Sequence, residues 1–196
     1  MTADEALARL KEGNARFLRD ESHFLTARKD ALAALEHGQS PFATILGCSD
    51  SRVPVELIFD AGFGDIFIVR VAGNVMSPEV MGSLQFAGAI LDTSLFVVLG
   101  HEKCGAVQAA LEWQLYGRSQ RSRIQILVDS IVPGLPPIDY KVSADERLSR
   151  AVEANVRWTM HQIMETPEAK VRTAEGRMKL VGAVFEIATG RVRFLE

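Results

Sequence analysis

Three short apolar runs constrain this chain most: Phe42 to Leu46, Ile66 to Val71 and Leu95 to Leu99 each have the length of a strand, and the stretches between them are too long for hairpins. Parallel strands need crossover connections, and crossovers within one sheet are right-handed. Ser77-Pro78-Glu79 opens a helix that should reach about Leu91, with a capping side chain, a proline at the first helical position and an acid near the positive end of the dipole. A further helix is expected from Cys104 to Gly117. Met178 to Phe185 reads as a fourth strand, which Thr189-Gly190 turns back into Val192-Arg193-Phe194 as an antiparallel edge. The pattern predicts an α/β fold of one domain, with a mostly parallel central sheet flanked by helices. Such sheets bind ligands beyond the carboxyl ends of their strands, where strand order reverses.

The remaining segments read as helices and breaks. Thr2 with Glu5 forms a capping box, and Leu7, Leu10, Phe17 and Leu18 follow at helical spacing. A second helix is expected from about Thr26 to His37, ended by Gly38, so that residues 1–38 form a helical arm and 39–196 the core. Ile124 to Val132 reads as a short helix before the break at Pro133-Gly134-Leu135-Pro136-Pro137. Ser143 with Glu146 opens a long helix through Leu148, Val152, Val156, Met160 and Ile163, stopped by Thr166-Pro167.

The chemistry collects where two of the strands stop. Cys48-Ser49-Asp50-Ser51-Arg52 follows the first run and His101-Glu102-Lys103-Cys104-Gly105 the third, and together they hold both cysteines of the chain. Two thiolates with one imidazole are a donor set that zinc selects, and three protein ligands leave a position open for chemistry. Inert core cysteines would need neither the Asp and Arg in alternation after Cys48 nor the His three residues before Cys104. Asp50, two residues beyond a ligand, is placed to orient a reacting oxygen, and Arg52 to hold that carboxylate ionised.

Composition narrows the partners. A formal charge of -3 gives no basic footprint for nucleic acid, and no apolar run approaches the roughly 20 residues of a membrane span. The acidic start Met1-Thr2-Ala3-Asp4-Glu5 lacks signal-peptide character, so a cytoplasmic protein is expected. In a reducing compartment two cysteines point to metal or catalysis before a disulfide.

The combined motifs resemble the β-class carbonic anhydrase family, whose signature is Cys-x-Asp-x-Arg followed later by His-x-x-Cys. The resemblance is most specific from Gln39 through Gly105 and returns in Val181-Gly182-Ala183-Val184-Phe185 with Thr189-Gly190. It implies one Zn2+ per chain held by Cys48, His101 and Cys104, a catalytic dyad of Asp50 and Arg52, and reversible hydration of carbon dioxide to bicarbonate and a proton by zinc-hydroxide attack. In some members the Asp rotates onto the metal in an inactive form. The resemblance further implies a substrate pocket of Gln39, Phe67, Ala72, Phe86 and the Gly105 amide. Gln39 stands at the plant-type spacing, nine positions before Cys48, and in the family this Gln reaches the site from the neighbouring subunit, which implies a homodimer or higher even oligomer.

Phe86 stands where the plant-type pattern has Tyr, and Ala72 where it has Val, which widens the pocket and removes a hydroxyl. Ile45 replaces the Trp of members regulated by non-catalytic bicarbonate, so that regulatory site is not expected. Other readings use the same residues: a hydrolase of COS or CS2, a non-catalytic zinc-stabilised binding protein with Asp50 closing the fourth position, or a thiol-redox enzyme, which the absence of a Cys-x-x-Cys pair disfavours. His23, His37 and His161 are candidates for carrying the proton away from the site, and none is assigned that role.

Overall fold

The structure, a computed structural model, describes residues 1–23, 32–33 and 35–195. The helix expected from Thr26 to His37 lies largely outside them. Four parallel strands, β1 (Ala43–Gly47), β2 (Ile66–Arg70), β3 (Leu95–His101) and β4 (Lys179–Phe185), and an antiparallel β5 (Val192–Leu195) form one sheet in the order β2-β1-β3-β4-β5. The chain leaves β1 to one side for β2 and returns to the other side for β3. Strand order therefore reverses between β1 and β3, whose carboxyl ends lie together with Gly47 opposite Leu99.

β3 is buried along its whole length, because helices cover both faces of the sheet. Leu95, Val97 and Leu99 pack on one side with Ala6 and Leu10 of α1 (Ala3–Leu18) and Val55 and Ile58 of the single turn α2 (Val55–Ile58). Phe96 and Val98 pack on the other with Leu84 of α3 (Pro78–Ala89), Val107 of α4 (Gly105–Tyr116), Val128 of α5 (Ile124–Ile131) and Val152 and Val156 of α6 (Ala144–Met164). The capping residues act as expected: Ser77 accepts from the Val80 amide, Ser143 from Glu146, and Gly117 ends α4 in the left-handed conformation.

Beyond shifts of one or two residues at element ends, a strand end at the site and an additional helix differ from the sequence reading. β3 runs on through Gly100 and His101, which pair with Val184 and Phe185 of β4, so His101 is itself a strand residue. Thr166-Pro167 stops α6 but also starts α7 (Pro167–Ala174): the Thr166 hydroxyl accepts from the Ala169 amide, and the proline occupies the first turn, where no amide is needed.

α1 docks on its own chain with part of the expected stripe, since Leu10 is buried and Leu7 packs on the same core. Ala6, Leu10, Gly13 and Asn14 are its buried positions, while Leu18 is exposed. A Cβ at Gly13 would lie 1.9 Å from the Phe59 carbonyl oxygen, so only glycine permits this approach. Beside it, Asn14 donates to the carbonyls of Ile58 (3.1 Å) and Gly190 (3.0 Å) and accepts from the Val192 amide (2.9 Å), tying α1 to the end of α2 and to the β4–β5 turn.

Candidate metal centre

Cys48 follows β1 directly, His101 closes β3, and Cys104 caps the start of α4. Their ligand atoms all lie within 4.8 Å of one another, and all three residues are buried. Lys103, at φ 53, folds the chain back so that Cys104 returns to the strand it has just left. His101 Nδ1 lies 2.9 Å from the Glu102 carbonyl oxygen, which can only accept, so Nδ1 carries the proton. Nε2 is then the free nitrogen, buried with no satisfied hydrogen bond among the described residues. An orphaned imidazole nitrogen beside two free thiols fits a tetrahedral zinc ion with three protein ligands.

The Cys104 thiol beside Cys48 Sγ, with smaller help from His101 and the Gly73 amide at 3.3 Å, pulls Cys48 well below an ordinary thiol against the cost of burial. The neighbouring Cys48 thiolate, and then burial, push Cys104 well above an ordinary thiol, although the Ala106 and Val107 amides at the start of α4 favour its thiolate. Metal uptake at this site must displace the Cys104 proton.

Arg52 grips Asp50 with a two-pronged contact, Nε to Oδ1 at 2.9 Å and Nη2 to Oδ2 at 2.8 Å, and its amide adds a third bond to Oδ1 at 2.9 Å. This fork holds the Asp50 carboxyl well below the usual carboxylate range. Oδ2 stands 3.9 Å from His101 Nε2, at the edge of the ligand triad. Arg52 also donates to the Lys103 carbonyl at 3.2 Å, joining the two motifs. Arg70, at the end of β2, donates to the Cys48 carbonyl (2.9 Å) and the Asp50 carbonyl (2.7 Å) and so clamps the loop that carries both.

The turn Ala72–Asn74 brings Ala72 beside this centre and turns the Gly73 amide onto Cys48 Sγ. Gly73 sits at φ 70, where glycine is favoured. Asn155 and Thr159 of α6 donate to the Gly73 and Asn74 carbonyls at 2.8 and 3.1 Å. Sequence reasoning missed Arg70, Gly73, Asn155 and Thr159. The available signal was two polar residues one helical turn apart beside the apolar stripe of Val152, Val156 and Met160.

The structure gathers Cys48, Asp50, Arg52, Ala72, His101, Cys104 and Gly105 at the carboxyl end of the sheet. Gln39, exposed, precedes β1 at the opposite end. Phe67 lies opposite Thr44, three residues short of Gly47 and therefore roughly 10 Å back from the strand ends. Phe86 packs on Phe67, with ring centroids 6.2 Å apart, and is 46% exposed. Within one chain these three side chains stand apart from the metal ligands.

A family model described as carbonic anhydrase matches residues 43–192. Carbonic anhydrase 2 of Mycobacterium tuberculosis is 39% identical over 184 residues, which cover 93% of this chain and 87% of that protein. The carbonic anhydrase of Mycolicibacterium smegmatis is 34% identical over 93% of this chain and 88% of its own length. Among solved structures, one from a study of two tetrameric β-carbonic anhydrases of Sordaria macrospora superposes with a TM-score of 0.73 at 26% identity, covering 84% of this chain and 85% of that one. The β-carbonic anhydrase CafA of Aspergillus fumigatus gives a TM-score of 0.74 at 26% identity, with coverage of 98% and 90%.

Proposed function

The chain belongs to the β-carbonic anhydrase family, and from that membership we propose that it catalyses the zinc-dependent, reversible hydration of carbon dioxide to bicarbonate and a proton. The observation that carries this reading is the buried Cys48, His101 and Cys104 triad with the Asp50–Arg52 pair at its edge. A zinc ion held there supplies Lewis acidity that makes a water nucleophilic near neutral pH.

The residues of the chain do the rest. Asp50, charged and fixed by Arg52, accepts a hydrogen bond from the attacking oxygen and aligns it. Because Arg52 engages both of its oxygens, the carboxylate is held toward the arginine, which supports an open site over one closed by Asp50. The Gly105 amide lies in the first turn of α4, where donors and the helix dipole favour negative charge growing on a substrate oxygen. Ala72 leaves space for a small linear substrate.

Gln39, Phe67 and Phe86 serve a pocket only across an interface, so we assign the enzyme a working state of at least two copies. Apolar β2 is a half-buried edge strand, and Phe63, Phe86 and Ile90 are 50%, 46% and 67% exposed. This apolar surface supports coverage by a second chain. Among the described residues no helix is long and apolar enough to cross a membrane. Two free cysteines suit a reducing cytoplasm.

Stopped-flow hydration of carbon dioxide on protein of measured zinc content, beside Cys104→Ser, tests the reading. We expect fast hydration that climbs as pH rises above neutral, because two thiolates neutralise the metal, and that disappears in the variant. Stoichiometric zinc with negligible hydration at every pH would overturn the assignment.

A further inference from the structure

The Gly73 amide donates to Cys48 Sγ at 3.3 Å, and the turn that carries it is held from behind. Asn155 and Thr159 stand one turn apart on α6, each 1% exposed, and grip the consecutive carbonyls of Gly73 and Asn74. Neither side chain is among the metal-binding triad. From the other direction the turn is pressed by its packing: a Cβ on Gly73 would meet Ile131 Cδ1 at 2.9 Å and Ala106 Cβ at 3.0 Å. The turn is thus pinned between α6 and the α4–α5 layer, with one amide pointing at a sulfur. An N–H donated to a ligating thiolate draws charge from the sulfur and fixes its position before metal arrives. For packing alone, apolar side chains would serve α6, as Val152 and Val156 do.

We propose that Asn155 and Thr159 are positioning residues of the metal centre, which act through the Ala72–Asn74 turn to place the Gly73 amide on Cys48 Sγ and so set how strongly that sulfur binds metal. The inference rests on Cys48 being a zinc ligand.

Full-length protein substituted with cobalt(II), read by its thiolate-to-cobalt charge-transfer band, tests this alongside zinc affinity measured against a competing chelator. Thr159→Val and Asn155→Leu remove one donor each at nearly constant volume. Each is expected to move the band to lower energy, because the sulfur keeps more charge, and, because the sulfur is no longer held in place before metal arrives, to weaken zinc binding about 10- to 100-fold. Thr159→Ser keeps the hydroxyl and should hold both readings at wild type. Val156→Ala, which hollows the packing beneath Gly100 and Gly182, should lower stability yet leave both unmoved. Wild-type values in Thr159→Val and Asn155→Leu, or equal displacement in Val156→Ala, would overturn the proposal. If Asn155→Leu does not fold, the Thr159→Val and Thr159→Ser pair decides alone. Wild-type protein whose bound cobalt shows no thiolate band would instead refute ligation by Cys48, a separate outcome.

Discussion

Arg52 lowers the pKa of Asp50, and that shift has a sign for stability. A folded-state pKa below the unfolded value of about 3.9 means that the pair's contribution to stability is present above that value and is lost as pH falls toward the depressed folded one. Between neutral and alkaline pH Asp50 does not titrate, so it contributes nothing to the shape of the rate profile there. Arg52→Ala should raise the Asp50 titration, followed by its carboxyl carbon resonance, and lower kcat/KM about 10- to 100-fold, while zinc content stays at wild type because Arg52 donates to Asp50 and the Lys103 carbonyl and to no ligand sulfur or imidazole. A variant that loses zinc in proportion to activity would place Arg52 in metal retention instead. The side chains that build the candidate site were legible because Cys, His, Asp and Arg at these spacings have few inert explanations. Arg70 was not: an arginine at a strand end reads as solvated, and its bonds to the Cys48 and Asp50 carbonyls depend on a register between β1 and β2 that spacing does not specify.

Among elements, α1 is held by a glycine and a buried asparagine as much as by apolar side chains. Gly13→Ala should cost about 1–3 kcal/mol, a fall of roughly 2–10 °C in Tm, since the new Cβ meets a backbone oxygen that cannot rotate away. Asn14→Leu should destabilise similarly, leaving the Ile58 and Gly190 carbonyls and the Val192 amide without their bonds. Unchanged melting in both would show that α1 is not docked at this contact in solution. The strands were readable because burial on both faces demands unbroken apolar runs, and the helix starts because caps are local chemistry. α7 escaped notice because Thr-Pro both terminates one helix and opens the next, and only the direction in which the Thr166 hydroxyl bonds separates the two meanings.

For the whole molecule, the residues at the amino end of the sheet matter only if a second chain presents them to the first. Mixing Gln39→Ala with Cys48→Ser, each expected to be impaired alone, should restore about a quarter of wild-type hydration if subunits exchange at random into dimers, because half of the pairs are mixed and each mixed pair holds one intact site. No recovery under conditions where exchange is demonstrated would confine the pocket to one chain. The reversal of strand order between β1 and β3 has a consequence for biogenesis. Cys48 and the His101–Cys104 pair become neighbours only after the chain has travelled out to β2 and back across β1, so the metal cannot template the early chain as it does in a zinc finger. All three ligands exist only once the chain has been made through Cys104, so nascent chains that have not yet laid down β3 have no finished place to receive a metal.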